Sequence, residues 1–377
     1  MSTKSYHRGA RPDALGLGLC LLMLAGLGGL SVGLFQIGRD AGANVAPTDA
    51  WLPLDRRRPL TRIGFGSCLH QRKPQPIWAG VRARRPDLFI MMGDNVYGDI
   101  RPPAMTKLIE AYRRQARQPE LRDARAAFPF LATWDDHDYG RNDAGGDFPQ
   151  RDQARALFRQ FWQAAAPRGP NEDGIYAART VGPKGQRVQI ILLDTRSYRA
   201  RLKRPTAAQK ATYKARGERW PSYLPDPTPS KSMLGAAQWT WLTRTLKEPA
   251  DLRIIVSSIQ VLATSHGWER WDTLPAERAK LLFMLKAAAS TTPTLILSGD
   301  RHRAGFYRDG KLLEATSSSL NYSFKGQDPP DPTRQGQLYG RDNFGLVDID
   351  WAGGKANVSI NDVNGKPVKA QTLSLTR

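Results

Sequence analysis

Six short runs of apolar residues, separated by helical patterns, constrain the fold of this chain more than any other feature. The runs cover residues 62–66, 87–92, 128–134, 188–193, 252–256 and 294–297. Because they are continuous rather than alternating, they are typical of strands buried on both faces of a sheet. Helical patterns occur between them, at residues 104–117, 152–165, 236–246 and 275–288. The alternation predicts an α/β fold.

Polar residues come directly after these predicted strands. Five of the six runs lead into a Cys, Asp, His or Arg, in segments that include Cys68, Asp94, Asp135, Asp194 and Asp300. Ligands of open α/β sheets bind at the carboxyl ends of the strands. One polar strand end is ordinary, but five at one edge predict a polar site assembled from several loops.

Two further segments have recognisable patterns. After residue 303 the sequence changes to hairpins, with two-residue turns at Asp309-Gly310, Gly353-Gly354 and Asn364-Gly365. Residues 200–234 are polar, basic and rich in Pro and Tyr, so we expect them to form a long insertion over the site.

Residues 1–38 are predicted to lie outside the folded domain, as a basic head and an apolar anchor or signal helix. Residues 14–38 carry no charge over 25 residues. About 20 such residues span a bilayer, whereas a cleaved signal peptide has an apolar stretch of only about 7–15 residues. The sequence therefore favours an uncleaved transmembrane anchor, although an A-x-A sequence at residues 41–43 keeps a cleaved signal open.

The basic head fixes the expected orientation of this segment. Basic residues stay on the cytoplasmic side, so the rest of the chain is expected outside the cytoplasm, periplasmic or extracellular. We expect attachment to the cell membrane through the N-terminal helix, with a cleaved secreted form as the alternative. Residues 39–59 are predicted to be a linker and residues 60–377 the folded domain.

The charge of the chain predicts attraction to something anionic. There are 56 Lys and Arg residues against 35 Asp and Glu, a formal net charge of +21. Nucleic acid, phosphate esters and anionic lipid all fit this charge, and so does a general preference for Arg codons. The charge alone does not choose among them.

Cysteine usage singles out one thiol. Cys20 lies in the apolar segment, so Cys68 is the only cysteine of the predicted exported domain. It has no intrachain disulfide partner there, and oxidising compartments disfavour a free reactive thiol. Cys68 is therefore buried and inert, part of an intermolecular bridge, or a metal ligand.

Three short motifs indicate metal chemistry. A Gly before Asp94 allows close approach of a cation to the carboxylate, and Tyr97 lies three residues on. Residues 135–143 contain four Asp, one His and one Asn, a concentration of like charge that is unfavourable unless a cation neutralises it. Asp300 and His302 have the spacing to share a face after the last buried run.

Each motif also has an ordinary structural explanation. Gly-Asp is common turn chemistry, an acidic loop can be solvated or paired with Arg, and Asp300 with His302 can form a capped turn. Arg196 is a candidate clamp for a phosphate anion because its planar guanidinium fits one, but with Asp194 it can equally form a structural ion pair. Taken together, the clustered ligands suit metal-assisted hydrolysis, in which two or more cations clamp a phosphoryl group and generate a hydroxide nucleophile.

The ordered motifs resemble those of the alkaline phosphatase D (PhoD-like) family of calcineurin-like metallophosphoesterases. They are Gly66-Ser67-Cys68, Gly93-Asp94-Asn95-Val96-Tyr97, Trp134-Asp135-Asp136-His137-Asp138, Leu193-Asp194-Thr195-Arg196 and Ser298-Gly299-Asp300-Arg301-His302. The resemblance implies a four-layer αββα metallophosphoesterase sandwich with the metals at its strand ends. It also implies iron and calcium ions, Fe³⁺ and Ca²⁺, as cofactors, with another divalent metal as the alternative.

The resemblance also implies residue roles. Cys68, Asp94 and Tyr97 would hold iron, with Asp94 bridging to calcium. Asp136 matches the Asn of the general metallophosphoesterase motif, and His137 matches its catalytic His. The remaining implied metal ligands are Asp300, His302 and Asn142.

Two functions from different classes follow. The first is an exported, membrane-anchored, metal-dependent phosphatase or phosphodiesterase, with His137 and Arg196 as its catalytic residues and a phosphate ester as substrate. The second is a non-catalytic basic protein that binds nucleic acid or another anionic polymer at the cell surface. The complete ligand set favours the enzyme, and we expect no specific nucleic acid partner. The preferred ester and the oligomeric state are left open.

Overall fold

Two β-sheets form the frame of the protein in the computed structural model, which describes residues 43–166 and 173–376. In chain order the strands are β1 (Arg62–Gly66), β2 (Leu88–Met92), β3 (Phe130–Thr133), β4 (Ala177–Val181), β5 (Val188–Leu192), β6 (Leu252–Ser257), β7 (Thr294–Ser298), β8 (Ala304–Asp309), β9 (Leu312–Ser317), β10 (Arg334–Tyr339), β11 (Asn343–Asp350), β12 (Lys355–Asp362) and β13 (Pro367–Ser374). All six runs predicted as strands form strands.

Helices connect most of the parallel strands. They are α1 (Ile77–Ala83), α2 (Thr106–Ala116), α3 (Pro119–Arg125), α4 (Asp136–Tyr139), α5 (Arg151–Trp162), α6 (Ala207–Ala215), α7 (Gly235–Thr245) and α8 (Pro275–Ala289). The four helices predicted from periodicity are confirmed, with ends that differ by at most three residues. Short 3₁₀ turns cover Gln163–Ala165 and Trp271–Thr273.

Each sheet combines a parallel centre with antiparallel edges. One sheet has the order β13-β12-β11-β1-β2-β3, and the other has the order β10-β8-β9-β7-β6-β5-β4. Strands β1, β2 and β3 run parallel, as do β5, β6 and β7. The three predicted two-residue turns connect β8 to β9, β11 to β12 and β12 to β13. The fold is a mixed α/β sandwich of two sheets with helices, as expected.

The main hydrophobic core lies between the two sheets. Leu88, Ile90 and Met92 alternate along β2 into this core, where they meet side chains such as Ile254 and Leu297 of the other sheet. Successive side chains of a strand point to opposite faces, so the residues between these three pack on the outer face of the sheet.

Helices cover the outer faces of both sheets. Phe89 of β2 points away from the inter-sheet core and packs edge-to-face on Trp78 of α1, with ring centroids 5.1 Å apart. On the other sheet, Ile255 of β6 packs in a cluster with Leu242 of α7 and Leu285 of α8. Burial on both faces explains why these strands read as continuous apolar runs.

The predicted linker differs from a free linker. Residues 43–59 form no helix or strand, but Trp51 is buried at 4% exposure. Its ring packs on Phe130 and Trp162, and its Nε1 donates to the carbonyl of Phe161 at 2.8 Å. Val45 is also buried, and its backbone N–H donates to Gln160 Oε1 at 2.8 Å. Contacts of this kind anchor the segment, and they have no periodicity to reveal them in the sequence.

The predicted N-terminal anchor, residues 14–38 with Cys20, lies outside the described residues, as do positions 39–42 of the linker. Within residues 43–166 and 173–376, no helix combines the length and apolar character needed to cross a membrane.

Gly93 controls the close approach of two strand ends. Its φ is +105°, and a Cβ placed there would lie 2.5 Å from the Cβ of Asp135. Gly93 immediately follows β2 and Asp135 follows β3, so the loops after neighbouring parallel strands touch at this glycine.

We expect Gly93→Ala to lower the free energy of unfolding by about 2–4 kcal/mol, because it adds a steric clash to a left-handed backbone. Gly185→Ala is the matched control: its φ is +89°, but nothing lies within 4 Å of the added Cβ. Urea unfolding of both variants measures the difference. Equal losses at the two glycines would show that the contact with Asp135 is unimportant.

Candidate metal centre

The carboxyl ends of the parallel strands from both sheets meet at one end of the sandwich. Two hydrogen bonds connect the sheets there: Thr133 Oγ1 donates to the carbonyl of Leu193 at 3.0 Å, and Ser67 N donates to the carbonyl of Ser317 at 3.1 Å. A cleft of about 1010 Å³ opens above these ends. The predicted site residues Tyr97, Asp136, His137, Asn142, Asp300 and His302 line it.

Asp94 lies at the centre of the site. Among the described residues, three groups have potential ligand atoms within 4.8 Å of one another, and Asp94 belongs to all three. The groups are Cys68, Asp94 and His302; Asp94, Asp136 and His137; and Asp94, Asp135, Asp136 and Asp300. The structure therefore brings together ligands from four segments far apart in the sequence, and a carboxylate shared in this way can bridge two cations.

The backbone at these positions is unusual. Cys68, Asp94, Asp300 and His302 have φ values of 59°, 51°, 63° and 53°, in the left-handed region that non-glycine residues seldom occupy. Such conformations cost of order 1–3 kcal/mol each and cluster at functional sites. Each loop turns sharply just after its strand, and this turn directs the side chain into the shared site.

Burial of so many acids perturbs their ionisation. Burial raises the pKa of Asp94 well above its usual value, and nearby Cys68 and the other Asp residues raise it further. Burial and the neighbouring Asp135 and Asp136 likewise raise the pKa of Asp300 well above its usual value. The carboxylates are too close to ionise together without a compensating positive charge.

Two buried oxygens point to where that charge would be. Asp94 Oδ1 and Asp135 Oδ2 have no hydrogen-bond partner among the described residues. The opposite oxygen of Asp135 is fully engaged, since it accepts from Arg196 Nε and from Ser258 Oγ, both at 2.6 Å. Unpartnered buried carboxylate oxygens fit the demands of a cation site.

Cys68 and Tyr97 lie against the same oxygen of Asp94. Cys68 Sγ is 3.4 Å and the Tyr97 hydroxyl 3.2 Å from Asp94 Oδ2. Burial raises the pKa of both Cys68 and Tyr97. Both groups would therefore stay protonated unless a metal ion displaces the protons.

The Asp residues of the acidic run after β3 have different hydrogen-bond partners and different roles. Asp136 accepts hydrogen bonds from the backbone N–H groups of His137 at 2.9 Å and Asp143 at 2.6 Å, which fix its carboxylate. Asp138 instead accepts from the N–H groups of Asn95 and Asp135 and caps α4. Of the Asp residues in this run, Asp138 serves the backbone, whereas Asp135 and Asp136 face the shared site.

His137 is oriented by a residue outside the predicted motifs. Its Nδ1 lies 2.8 Å from Asp99 Oδ2, and its ring packs on Tyr97 with centroids 4.4 Å apart. Burial alone would lower the pKa of His137, but the nearby carboxylates of Asp136, Asp94 and Asp99 outweigh it and raise the pKa well above the usual value. A His at the edge of the cleft whose Nδ1 is held by Asp99 is placed to donate a proton from Nε2.

The pKa of His302 is shifted in the opposite direction from that of His137. Its Nδ1 lies 2.6 Å from the carbonyl of Tyr322, which fixes the ring. Burial lowers the pKa of His302 to about 4, so the ring is neutral near pH 7. A neutral imidazole held by one nitrogen is the form that binds metal through the other.

The structure does not place Arg196 at the surface of the cleft. Its guanidinium is fully buried and bonds to Asp135 and to Glu269 Oε2, the latter at 2.7 Å, while Glu269 also pairs with Arg199 at 2.8 Å. The expected direct clamp on phosphate is replaced by a buried ion network behind the site. Among the described residues, the guanidinium of Arg196 forms no ion pair with the Asp194 carboxylate either. Asp194 Oδ1 instead accepts a hydrogen bond from the backbone N–H of Arg196.

Other predicted and unpredicted residues complete the site. Asn142 lines the cleft and donates to Asp143 Oδ2 at 2.5 Å. Sequence reasoning did not assign roles to Asp135, Asp99 or Glu269. Asp135 was visible in the acidic run, whereas Asp99 and Glu269 have no local signal, since their partners lie 38 and 73 residues away.

The predicted insertion, residues 200–234, contacts residues that lie at or beside the cleft. Its Ser222 N–H donates to the carbonyl of Gly267 at 2.8 Å, beside Trp268 of the cleft. The Tyr223 hydroxyl donates to Asp143 Oδ2 at 2.6 Å. Residues 200–234 thus support one wall of the cleft.

Comparison with known proteins gives a consistent set of relatives. The chain is 22% identical over 303 residues to alkaline phosphatase D of Bacillus subtilis (strain 168), which covers 70% of this chain and 49% of the relative. The chain therefore spans about half the length of this curated relative.

Solved structures share the fold. A structure of PhoD has a TM-score of 0.61 at 17% identity, covering 86% of this chain and 70% of the other. The purple acid phosphatase PPD1 of yellow lupin (Lupinus luteus) has a TM-score of 0.57 at 9% identity, covering 85% of this chain and 55% of the other. A dimetal phosphatase from Danio rerio has a TM-score of 0.50 at 14% identity, covering 84% and 100%.

The family itself is established by sequence. The family model for PhoD-like phosphatase matches residues 64–311, which contain every candidate metal ligand and both candidate catalytic residues. The resemblance drawn from the five motifs is confirmed, and the chain belongs to the PhoD-like phosphatase family.

Proposed function

We propose that this protein hydrolyses phosphate esters at a site holding two or more metal ions. The observation that carries the proposal is Asp94, a buried carboxylate shared by three ligand groups and left with one unpartnered oxygen. Family membership supports a phosphoric ester hydrolase. Both phosphomonoesters and phosphodiesters are proposed as substrates.

The donor set suits two kinds of cation. Cys68, Tyr97 and His302 offer one thiolate, one phenolate and one imidazole beside Asp94, a combination suited to iron. Asp136, Asp300 and Asn142 offer oxygen ligands suited to calcium or another divalent ion. When bound, the cations withdraw charge from phosphoryl oxygens and supply a hydroxide nucleophile near neutral pH.

We assign proton donation to His137. The leaving alkoxide needs a proton, and a positioned imidazolium can provide it. Asp99 holds Nδ1 of the ring at 2.8 Å, which leaves Nε2 as the atom available to the leaving oxygen. Asp99 acts through His137 and is a positioning residue.

Arg196 is assigned a supporting role. It is buried between Asp135 and Glu269 and holds Asp135 so that one of its oxygens faces the shared site. Its charge also lowers the cost of gathering the carboxylates.

We further propose the cellular setting and layer order. The charge-free stretch at residues 14–38 supports an exported protein attached to the cell membrane, with a cleaved secreted form as the alternative. The packing of helices on both outer sheet faces supports the αββα order expected for residues 60–377.

Asp94→Asn should cost metal binding and activity together, because an amide cannot bridge two cations as a carboxylate does. We expect the bound metal per chain to fall and kcat/KM to drop more than about a hundredfold. Elemental analysis and hydrolysis of a nitrophenyl phosphate measure the two effects. Asp138→Asn is the control, since this buried Asp caps α4 and should affect stability more than metal content. Full metal content with normal turnover in Asp94→Asn would refute the bridge.

His137→Ala should slow alkyl phosphate esters about 10²–10⁴-fold and nitrophenyl esters far less, because nitrophenolate needs no proton to leave. Asp99→Asn should change the alkyl-to-nitrophenyl ratio in the same direction by a smaller factor. His70→Ala, in another cleft histidine, serves as the comparison and should leave that ratio unchanged. Equal losses on both ester types in His137→Ala, with loss of metal, would identify His137 as a ligand instead.

Arg196→Met should lower the free energy of unfolding by about 3–5 kcal/mol, because it leaves buried Asp135 without its cation and Glu269 with Arg199 alone. In the variant that remains folded, the inhibition constant of free phosphate should change little. Thermal unfolding and product inhibition provide the two readouts. Unchanged stability with clearly weaker phosphate inhibition would restore the direct clamp.

A further inference from the structure

A continuous row of aromatic rings leads from the metal centre to the surface of the cleft. Tyr97 packs on Tyr322, with ring centroids 5.1 Å apart, and His302 packs on Phe324 with centroids 4.2 Å apart. Tyr322 and Phe324 are themselves 5.2 Å apart. Phe324 lines the cleft and is 45% exposed. A large exposed apolar ring beside a polar site has no role in the core.

The position of this ring is fixed relative to the candidate ligands. The backbone N–H of Phe324 donates to the carbonyl of His302 at 2.8 Å. Nδ1 of the same histidine bonds to the carbonyl of Tyr322 at 2.6 Å. The segment that carries the exposed ring is therefore hydrogen-bonded to a candidate metal ligand, which holds it beside the reaction site.

The helix α2 contributes a basic wall to the same cleft. Lys107 and Arg114 of α2, and Arg117 directly after its last residue, recur at the spacing of one helix face, and all three are exposed and line the cleft. None of them forms an ion pair within the described part of the chain, and Glu110 is the single acidic residue of this face that lines the cleft. We call Lys107, Arg114 and Arg117 the α2 basic face. Unpaired exposed cations inside a cleft are suited to bind phosphate groups of a ligand.

Resting on the proposed function, we propose that the phosphodiester substrate is a short single-stranded oligonucleotide, bound without sequence preference. One base stacks on Phe324 while phosphates next to the scissile one lie along the α2 basic face. Aromatic platforms combined with a positive groove are the usual way to bind single-stranded nucleic acid, because every base has a π-face and every linkage a charge.

The size of the cleft agrees with this substrate. Its volume of about 1010 Å³ lies at the upper end of the range typical of sites that enclose a whole drug-sized molecule. This volume leaves room beside the scissile phosphate for groups that reach the Phe324 ring and the last turn of α2. These elements are explained if the substrate extends beyond the scissile phosphate on both sides.

Binding to two fluorescent oligomers of equal length separates stacking from charge. One is oligothymidylate, and the other is its abasic counterpart with the same phosphodiester backbone. Anisotropy is measured with the metal-loaded full-length protein, and both oligomers carry phosphorothioate linkages, which keep the backbone charge and resist hydrolysis. We expect oligothymidylate to bind roughly five- to a hundredfold more tightly than the abasic chain.

Matched variants assign the two contributions. Phe324→Ala should remove the preference for oligothymidylate without weakening binding of the abasic chain. Phe324→Tyr should keep the preference. Phe283→Ala is the control, an exposed phenylalanine of α8 that does not line the cleft. Arg114→Gln with Arg117→Gln should weaken both oligomers and flatten the dependence of affinity on salt. Glu110→Gln should strengthen both.

Equal affinity for the two oligomers in the wild type would overturn the proposal, as would a loss in Phe324→Ala that is the same for both. Insensitivity of both oligomers to the α2 variants would also overturn it. Hydrolysis of a nitrophenyl phosphate by the metal-loaded wild type is measured in parallel. If that activity is present while the oligomer preference is absent, the oligonucleotide inference fails and the proposed hydrolase function stands.

Discussion

Repulsion among three buried carboxylates and a fourth that is partly buried is the constraint on which the rest of this structure depends. Asp94, Asp135, Asp136 and Asp300 place oxygen atoms within 4.8 Å of one another. Gathering them in a buried site is unfavourable without positive charge, as the raised pKa values of Asp94 and Asp300 show. The buried guanidinium of Arg196, which bonds to Asp135, offsets part of the repulsion among these carboxylates. Cations in the site would offset the remainder. The proposed cations would therefore stabilise this set of carboxylates.

The fold serves this arrangement by delivering ligands from two sheets to one end of the sandwich. Three parallel strands of each sheet end there, and sharp left-handed turns just after them direct Cys68, Asp94 and Asp300 inward. Gly93 permits the closest approach between two of these loops. The inter-sheet core behind them is large and apolar, so it holds the strand ends in fixed positions. The stability of the core is what compensates for the strain of the site.

Much of this could be predicted from the sequence, because strands buried on both faces and acidic strand ends are local signals. The six strands, four helices and the position of Asp94 after a strand follow from such patterns. What could not be predicted depends on contacts distant in the chain: Trp51 packs across a segment without periodicity, and Asp99 meets His137 only in three dimensions. Arg196 shows the same limit, since its partner Glu269 lies 73 residues away and draws it behind the site rather than into the cleft.

The metal content of the purified full-length protein, measured in the same sample as its hydrolysis of a nitrophenyl phosphate, tests whether the carboxylate cluster is a catalytic metal site. A cation site built on Asp94 predicts about two tightly bound cations per chain. It also predicts that a chelator removes hydrolysis and lowers the melting temperature, because the carboxylates lose the charge that offsets their repulsion. Full hydrolysis by a metal-free protein whose melting temperature is unchanged would contradict it.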